Sequence, residues 1–256
     1  MDAVLVDTSR PVARITLDRP EKRNALSLPV LRELTAALRR IGDLRSVRVV
    51  VIAGTGPAFS AGHDIGEMID ERGQLYYAEL FDECVAVMQA IREIPQPVIA
   101  RVHAIATAAG CQLVAACDLA IAADTARFAT PGVHIGLFCS TPMVPLSRAI
   151  GRKRSLEMLL TGDPIDATTA QDWGLVNRVV PLAELDATVD ALAHKIAAAS
   201  AATIALGKHA FYAQEAVDED AAYGITSPTM AANAMLDDAQ EGMQAFVEKR
   251  PPHWTT

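Results

Sequence analysis

A chain of 256 residues, 51% of them hydrophobic, can bury one large core, so a single α/β unit with an appendage is expected rather than two equal domains. Its net charge of −8 argues against a general nucleic-acid binder, which needs a broad basic surface; an anionic small ligand would need local cations instead. No apolar run reaches the roughly 18 residues of a membrane span, and Met1-Asp2-Ala3-Val4 lacks a basic segment followed by an apolar one, so the expectation is a soluble, cytoplasmic protein.

In chain order, the apolar run Ala3 to Val6 and the alternating Val12-Ala13-Arg14-Ile15-Thr16-Leu17 predict a β-hairpin turning around Ser9-Arg10-Pro11. A charged loop, Asp18 to Leu26, follows. Ser27 can cap the next helix, whose buried stripe is Leu31, Leu34, Leu38 and Ile41. Val47 to Ala53 is dense in β-branched residues and reads as an interior strand ending at Gly54-Thr55-Gly56-Pro57. From Gln74 to Ile91 apolar positions recur at helical spacing, Phe81 and Cys84 among them, and Pro95 and Pro97 close that helix. A buried strand from Pro97, a small-residue turn and a helix opening at Ala108-Ala109-Gly110 come next. Then follow a strand from Asp118 to Ala122, a loop through His134 to Ser140, two short helices and a last strand, Leu175 to Val180. The chain turns alanine-rich and helical after that, which divides it into a core of residues 1–197 and a helical region of residues 198–256. Cys84, Cys111, Cys117 and Cys139 lack paired CxxC spacing and read as reduced packing thiols, with no metal site expected.

Two strand exits carry candidate chemistry. Ala58-Phe59-Ser60-Ala61-Gly62-His63-Asp64 and Thr107-Ala108-Ala109-Gly110 are both small-residue turns leading into helices. The first amides of a helix lack intrahelical acceptors and carry partial positive charge. If the turns face each other, the N–H groups of His63 and Ala109 can converge on one carbonyl oxygen, each such donor being worth on the order of 10²–10³ in rate. The plainer alternative is that small residues only let helices pack closely on a sheet.

Phe59-Ser60-Ala61-Gly62-His63-Asp64-Ile65 resembles the F-x-A-G-x-D-[LI] signature of the crotonase (enoyl-CoA hydratase/isomerase) superfamily. Pro97 to Asp118 is similar to its second glycine-rich stretch, and Leu17 to Leu26, Leu160-Thr161-Gly162, Trp173 to Val176 and Glu241 to Arg250 fall in the family's order. The resemblance implies a crotonase-like (ClpP/crotonase) α/β fold: a spiral core of repeated ββα units with a C-terminal helical trimerisation region. It also implies a homo-oligomer, a trimer or dimer of trimers. The implied substrate is an acyl-CoA or enoyl-CoA thioester, coenzyme A being part of the substrate and no separate cofactor being needed. The implied chemistry is reversible hydration of a trans-2-enoyl-CoA, or related thioester-enolate chemistry, in fatty-acid metabolism. By motif position His63 and Ala109 supply the oxyanion-holding amides, while Ala61, Asp64, Ile65 and Gly66 belong to the substrate-binding turn. Lys22, Arg23, Ala25 and Leu26 resemble the loop along the CoA nucleotide, and Phe246 and Lys249 match C-terminal positions that can reach CoA across a subunit boundary.

The pattern breaks where a hydratase of this family has its two glutamates, because those positions hold Gln112 and Gly132. An amide cannot take a proton near neutral pH and glycine has no side chain, so hydratase activity is expected to be weak. His134, Cys139 and Ser140 on the following loop, and Asp64 and Glu67 on the first turn, are the substitutes to weigh, His134 and Asp64 leading as alternative bases. Each has a duller reading: His134 a satisfied core histidine, Cys139 a packing thiol, Asp64 a helix-start residue bonded to amides. An acyl-CoA-binding protein without hydratase catalysis, and a thioester hydrolase or lyase on the same scaffold, remain as alternatives.

Overall fold

The computed structural model describes residues 3–8 and 11–255, so the tip of the expected hairpin turn, Ser9-Arg10, lies outside the described residues. β1 (Val4–Asp7) pairs antiparallel with β2 (Val12–Leu17), Val4 opposite Leu17. α1 (Leu28–Gly42) buries Leu31, Leu34, Leu38 and Ile41, the four residues of its apolar stripe. Ser27 stands at its N-cap but makes no side-chain cap bond; the Leu28 N–H donates instead to the Glu67 carboxylate at 3.2 Å. A carboxylate outdoes a hydroxyl there because it also complements the positive end of the helix.

β3 (Val49–Gly54) is buried throughout, lying parallel between β2 and a later strand. From here a strand of the large sheet, a short strand of a second sheet and a helical segment follow one another repeatedly. β4 (Ala58–Ser60) leads to α2 (Ile65–Asp70) and α3 (Gln74–Glu93). β5 (Val98–Val102) and β6 (Ile105–Thr107) lead to α4 (Ala109–Ala116). β7 (Leu119–Ala123) and β8 (Arg127–Ala129) lead through a 3₁₀ turn at Pro131–Ile135 to α5 (Met143–Ile150) and α6 (Arg152–Thr161). β9 (Ile165–Asp166), α7 (Ala167–Trp173) and β10 (Arg178–Val180) complete the core. The large sheet has the order β1-β2-β3-β5-β7-β10 and the small one β4-β6-β8-β9. The single strands read at Pro97 and Asp118 are thus each followed by a second short strand, giving the spiral of ββα units that the sequence resemblance implies.

Parallel strands buried on both faces need two covering layers. Val50 and Ile52 face the cluster formed with α1 and α3. Val49, Val51, Ile99 and Ile121 face Leu185, Val189 and Ala193 of α8 (Leu185–Ala197). Beyond α8 come α9 (Ala201–Gln214), α10 (Glu219–Ala234) and α11 (Asp237–Glu248), of which α9 and α10 bury no residue. Even so, α9 is fastened to the core. Lys208 Nζ donates to the carbonyls of Ile91 (2.6 Å) and Gln96 (2.8 Å) and pairs with Asp118 at 2.8 Å, while the Tyr212 hydroxyl donates to the same carboxylate at 2.6 Å. Among the described residues no single helix is long and apolar enough to cross a membrane.

Candidate functional site

The two small-residue turns touch. Gly62 has φ +85°, and a Cβ there would stand 2.9 Å from Ala108 Cβ and 3.1 Å from the Ala109 nitrogen. Gly110 has no room either, because its Cβ would meet the Ser60 carbonyl oxygen at 2.3 Å. The Thr107 hydroxyl donates to the Ala61 carbonyl at 3.0 Å, and the Leu26 N–H to the Gly62 carbonyl at 2.7 Å, which ties both turns to the 20–27 loop.

Ala108 holds the second turn in an unusual conformation, φ 49° and ψ −118°. Its N–H donates to the Ala129 carbonyl and its own carbonyl accepts the Gln112 N–H, both at 2.9 Å, so the peptide that follows is fixed in direction. That leaves the Ala109 N–H at the first position of α4, where no intrahelical acceptor exists. Among the described residues neither the His63 N–H nor the Ala109 N–H has a backbone acceptor.

Both residues line a cavity of about 390 Å³. Ala61, Ile65, Met68, Phe81 and Ala108 complete the near wall, and Pro131 to Pro142 supplies the far one through Gly132, His134, Leu137, Phe138 and Cys139. The His63 ring stands edge-on to Phe81, with centroids 5.3 Å apart, and its Nε2 is buried without a hydrogen-bond partner. Burial disfavours the charged ring and pulls its pKa from 6.5 down to about 4, so it is neutral at pH 7.

Gln112 and Gly132, the two positions at which the sequence pattern breaks, are both buried. Gly132 is on the cavity wall, yet a Cβ there would lie 2.6 Å from the Leu137 carbonyl oxygen and 2.9 Å from Cys139 Sγ. The loop has closed over the space a side chain needs. Gln112 is only 3% exposed, accepts a weak bond from Cys84 Sγ at 3.7 Å, and lines a second cavity of about 460 Å³ between α3, α4, α5 and α9, which meets the first at Thr141.

Among the alternative bases, Asp64 accepts from the Gly66 and Glu67 N–H groups at 3.1 and 3.3 Å as the cap of α2, and pairs with Lys22 at 3.8 Å. His134 is exposed rather than a core residue, because it sits on a surface 3₁₀ turn, and its Nε2 lies 2.7 Å from the Thr161 carbonyl. The four cysteines are buried free thiols, and burial pushes Cys84 and Cys111 up to about 12. The Ser140 hydroxyl donates to the Phe138 carbonyl at 3.4 Å.

Of the remaining residues, Lys22 and Arg23 are exposed, whereas Ala25 and Leu26 are buried beneath them. Sequence reasoning passed over Asn24, which organises this loop: only 2% exposed, it donates to the Thr55 and Ala58 carbonyls, each at 2.8 Å. An asparagine inside a charged stretch was its one signal in the sequence. Phe246 and Lys249 lie at the end of α11, outside the cavity within this chain; Phe246 is 85% exposed.

Comparison with known proteins shows the family and the fold. The profile of the enoyl-CoA hydratase/isomerase family matches residues 7–256. Human mitochondrial enoyl-CoA hydratase domain-containing protein 3 is 49% identical over 95% of this chain and 80% of its own length. A probable enoyl-CoA hydratase of Mycobacterium bovis is 34% identical over 99% of this chain and 98% of its own. A crystal structure of an enoyl-CoA hydratase from Mycobacterium smegmatis superposes with a TM-score of 0.97 at 50% identity, covering 100% of both chains. The human relative is named as a mitochondrial protein, which overturns the expectation of a cytoplasmic one.

Proposed function

Because this chain belongs to the enoyl-CoA hydratase/isomerase family, on the branch of enoyl-CoA hydratase domain-containing protein 3, we propose that its 390 Å³ cavity binds an acyl-CoA thioester and stabilises the enolate form of its acyl group. The observation that carries this reading is the contact between the two turns, with the Ala109 nitrogen 3.1 Å from where a Gly62 Cβ would be. Two N–H groups on touching turns can hold one oxygen, and they bind it more strongly as it gains charge. Lys22 and Arg23 are free of the core and offer cations to the CoA phosphates of an otherwise acidic protein. Coenzyme A enters as part of the substrate.

On this reading trans-2-enoyl-CoA hydration, the lyase reaction of the family, is slow, since neither Gln112 nor Gly132 can move a proton. The filled space beside Gly132 also favours a second reading, an acyl-CoA-binding protein without hydratase turnover. We further infer a homo-oligomer, a trimer or dimer of trimers, formed through residues 198–256. Tyr223, Met230, Met235 and Phe246 expose about two thirds or more of their surface on or at the ends of helices that a lone chain leaves uncovered, and a neighbouring subunit's cavity would receive Phe246 and Lys249.

Calorimetry with butyryl-CoA and spectrophotometry with crotonyl-CoA test the proposal. It expects binding with little hydration. Absence of affinity for CoA thioesters defeats it, and turnover equal to that of a two-glutamate hydratase defeats the account of the missing carboxylates.

A further inference from the structure

We propose that Thr107 is a positioning residue for the oxyanion site: its hydroxyl sets the gap between the two turns, and with it the aim of the His63 and Ala109 N–H groups at one oxygen. The inference rests on the acyl-CoA reading of the cavity and assigns a role within it to a side chain outside the cavity lining.

The hydroxyl takes over where the sheet stops. β4 and β6 run parallel, and their register ends with Ser60 opposite Ala106. One residue further along each strand, the Thr107 hydroxyl donates to the Ala61 carbonyl at 3.0 Å. Ala61 stands two residues before His63, and Thr107 two before Ala109. The bond therefore joins the turns at the same chain distance from each donor. Packing sets only their closest approach, since a Cβ on Gly62 would already stand 2.9 Å from Ala108 Cβ. The hydroxyl keeps them from parting.

Peptide geometry carries this to the donors. In a trans peptide the C=O and N–H point in opposite directions. The Gly62 carbonyl accepts the Leu26 N–H at 2.7 Å, which turns the His63 N–H of the same peptide away from the 20–27 loop. One peptide earlier, the Gly62 N–H donates to Ser60 Oγ at 3.2 Å and the Ala61 carbonyl is held by Thr107. Gly62, at φ +85°, is the joint between the two peptides and has no side chain to resist rotation. Without the hydroxyl the Ala61 peptide loses its hold on β6, and the joint passes that freedom to the His63 N–H. The Ala109 N–H keeps its own direction, because Ala108 is bonded to Ala129 and Gln112. Thr107 thus governs where one donor stands relative to the other.

Aim matters more for an anion than for a neutral carbonyl. Hydrogen bonds to an ionised acceptor are shorter and roughly twice as strong, and they weaken steeply as the angle closes. A twisted or widened site therefore loses more affinity for the enolate than for the thioester it comes from. The ratio of the two forms on one bound ligand reads that difference directly, whatever happens to overall affinity.

Acetoacetyl-CoA supplies the ratio, because its enolate is conjugated with the second carbonyl and absorbs in the near ultraviolet where the keto form does not. Wild type and variants are saturated with it at neutral pH, calorimetry giving the concentration each one needs and urea unfolding checking the fold. The wild type should hold a larger enolate fraction than free solution does. Thr107→Val keeps the branched shape without the hydroxyl and should lower the enolate-to-keto ratio at least ~10-fold, short of the 10²–10³ that a wholly lost donor costs. Thr107→Ala, too small to press on Ala61, should do the same, and Thr107→Ser should return the ratio close to wild type. An unchanged ratio in the valine and alanine variants overturns the inference. So does a serine variant that loses as much as they do, since the branched shape and not the hydroxyl would then be responsible. Both results leave the acyl-CoA reading intact. A wild type that binds acetoacetyl-CoA with no more enolate than in solution removes the oxyanion site itself, and absence of binding removes the acyl-CoA reading; either takes this inference with it.

Discussion

Gly132→Glu tests whether the space beside the second missing carboxylate is truly closed. A Cβ at this position would stand 2.6 Å from the Leu137 carbonyl oxygen, a main-chain atom that cannot rotate away, and 2.9 Å from Cys139 Sγ. Forcing a carbon into such a site typically costs about 1–3 kcal/mol, so Gly132→Ala alone should destabilise by about 2 kcal/mol. For a chain of this size that lowers Tm by roughly 4–8 °C. Glutamate adds a carboxylate against an apolar wall and should cost about 1 kcal/mol more, or displace the 132–139 loop. Gln112→Glu does not rescue it, because a carboxylate at residue 112 leaves the space beside residue 132 filled. The assay pairs urea unfolding with loss of enoyl-thioester absorbance on crotonyl-CoA. A double variant as stable as the wild type that hydrates 10²-fold faster would refute the reasoning, since it would mean the loop yields freely and the pocket still fits two acids.

Three further outcomes are expected. Ala108→Gly should raise stability by about 1 kcal/mol, read as a higher urea midpoint at unchanged slope, because φ 49° with ψ −118° suits glycine and the relief exceeds the added chain entropy. Lys208→Met should lower stability by about 3 kcal/mol by leaving the Asp118 carboxylate without its cation, and loss of helix α9 packing should show as faster amide exchange near Gln96. His63 should make stability depend on pH: its folded pKa of about 4 lies below the unfolded 6.5, so the unfolded chain binds the extra proton between them. Its contribution is therefore full above about pH 6.5 and shrinks by about 3 kcal/mol as pH falls to 4, a slope that His63→Phe should flatten in urea titrations.

Much of the core was legible because its burial follows short-range periodicity. The α1 stripe and the alternation in β2 each repeat several times, and the β-branched run of β3 needs only its own composition to declare two covered faces. The short strands β6 and β8 hold three residues each, too few for any period, and they exist because neighbouring strands of the small sheet accept them. The direction of Gln112 was not legible for the opposite reason: seven of the eight residues of α4 are buried, so no polar face marks which side meets the substrate. The closure at Gly132 depends on where the chain returns five to seven residues later, which no local pattern carries. The site motifs were visible since they rest on residue size. Only small residues allow turns at 60–63 and 107–110 to touch, and that requirement is written in the sequence itself.

What the chain keeps and what it lacks differ in kind. A helix could begin after β6 without strain, yet Ala108 sits in a left-handed region that costs an alanine about 1–3 kcal/mol and aims the next N–H out of the helix. Packing alone does not require this, because a relaxed turn with the same small residues would let α4 approach β4 as closely. A strained peptide held by bonds to Ala129 and Gln112 is instead what a fixed donor needs, as its direction must not change when charge develops on the oxygen it holds. On the proposed reading the family's two acids, by contrast, are absent, Gln112 and Gly132 standing in their places, and the space beside Gly132 is filled. The strain therefore supports an oxyanion site retained apart from the family's water-adding apparatus.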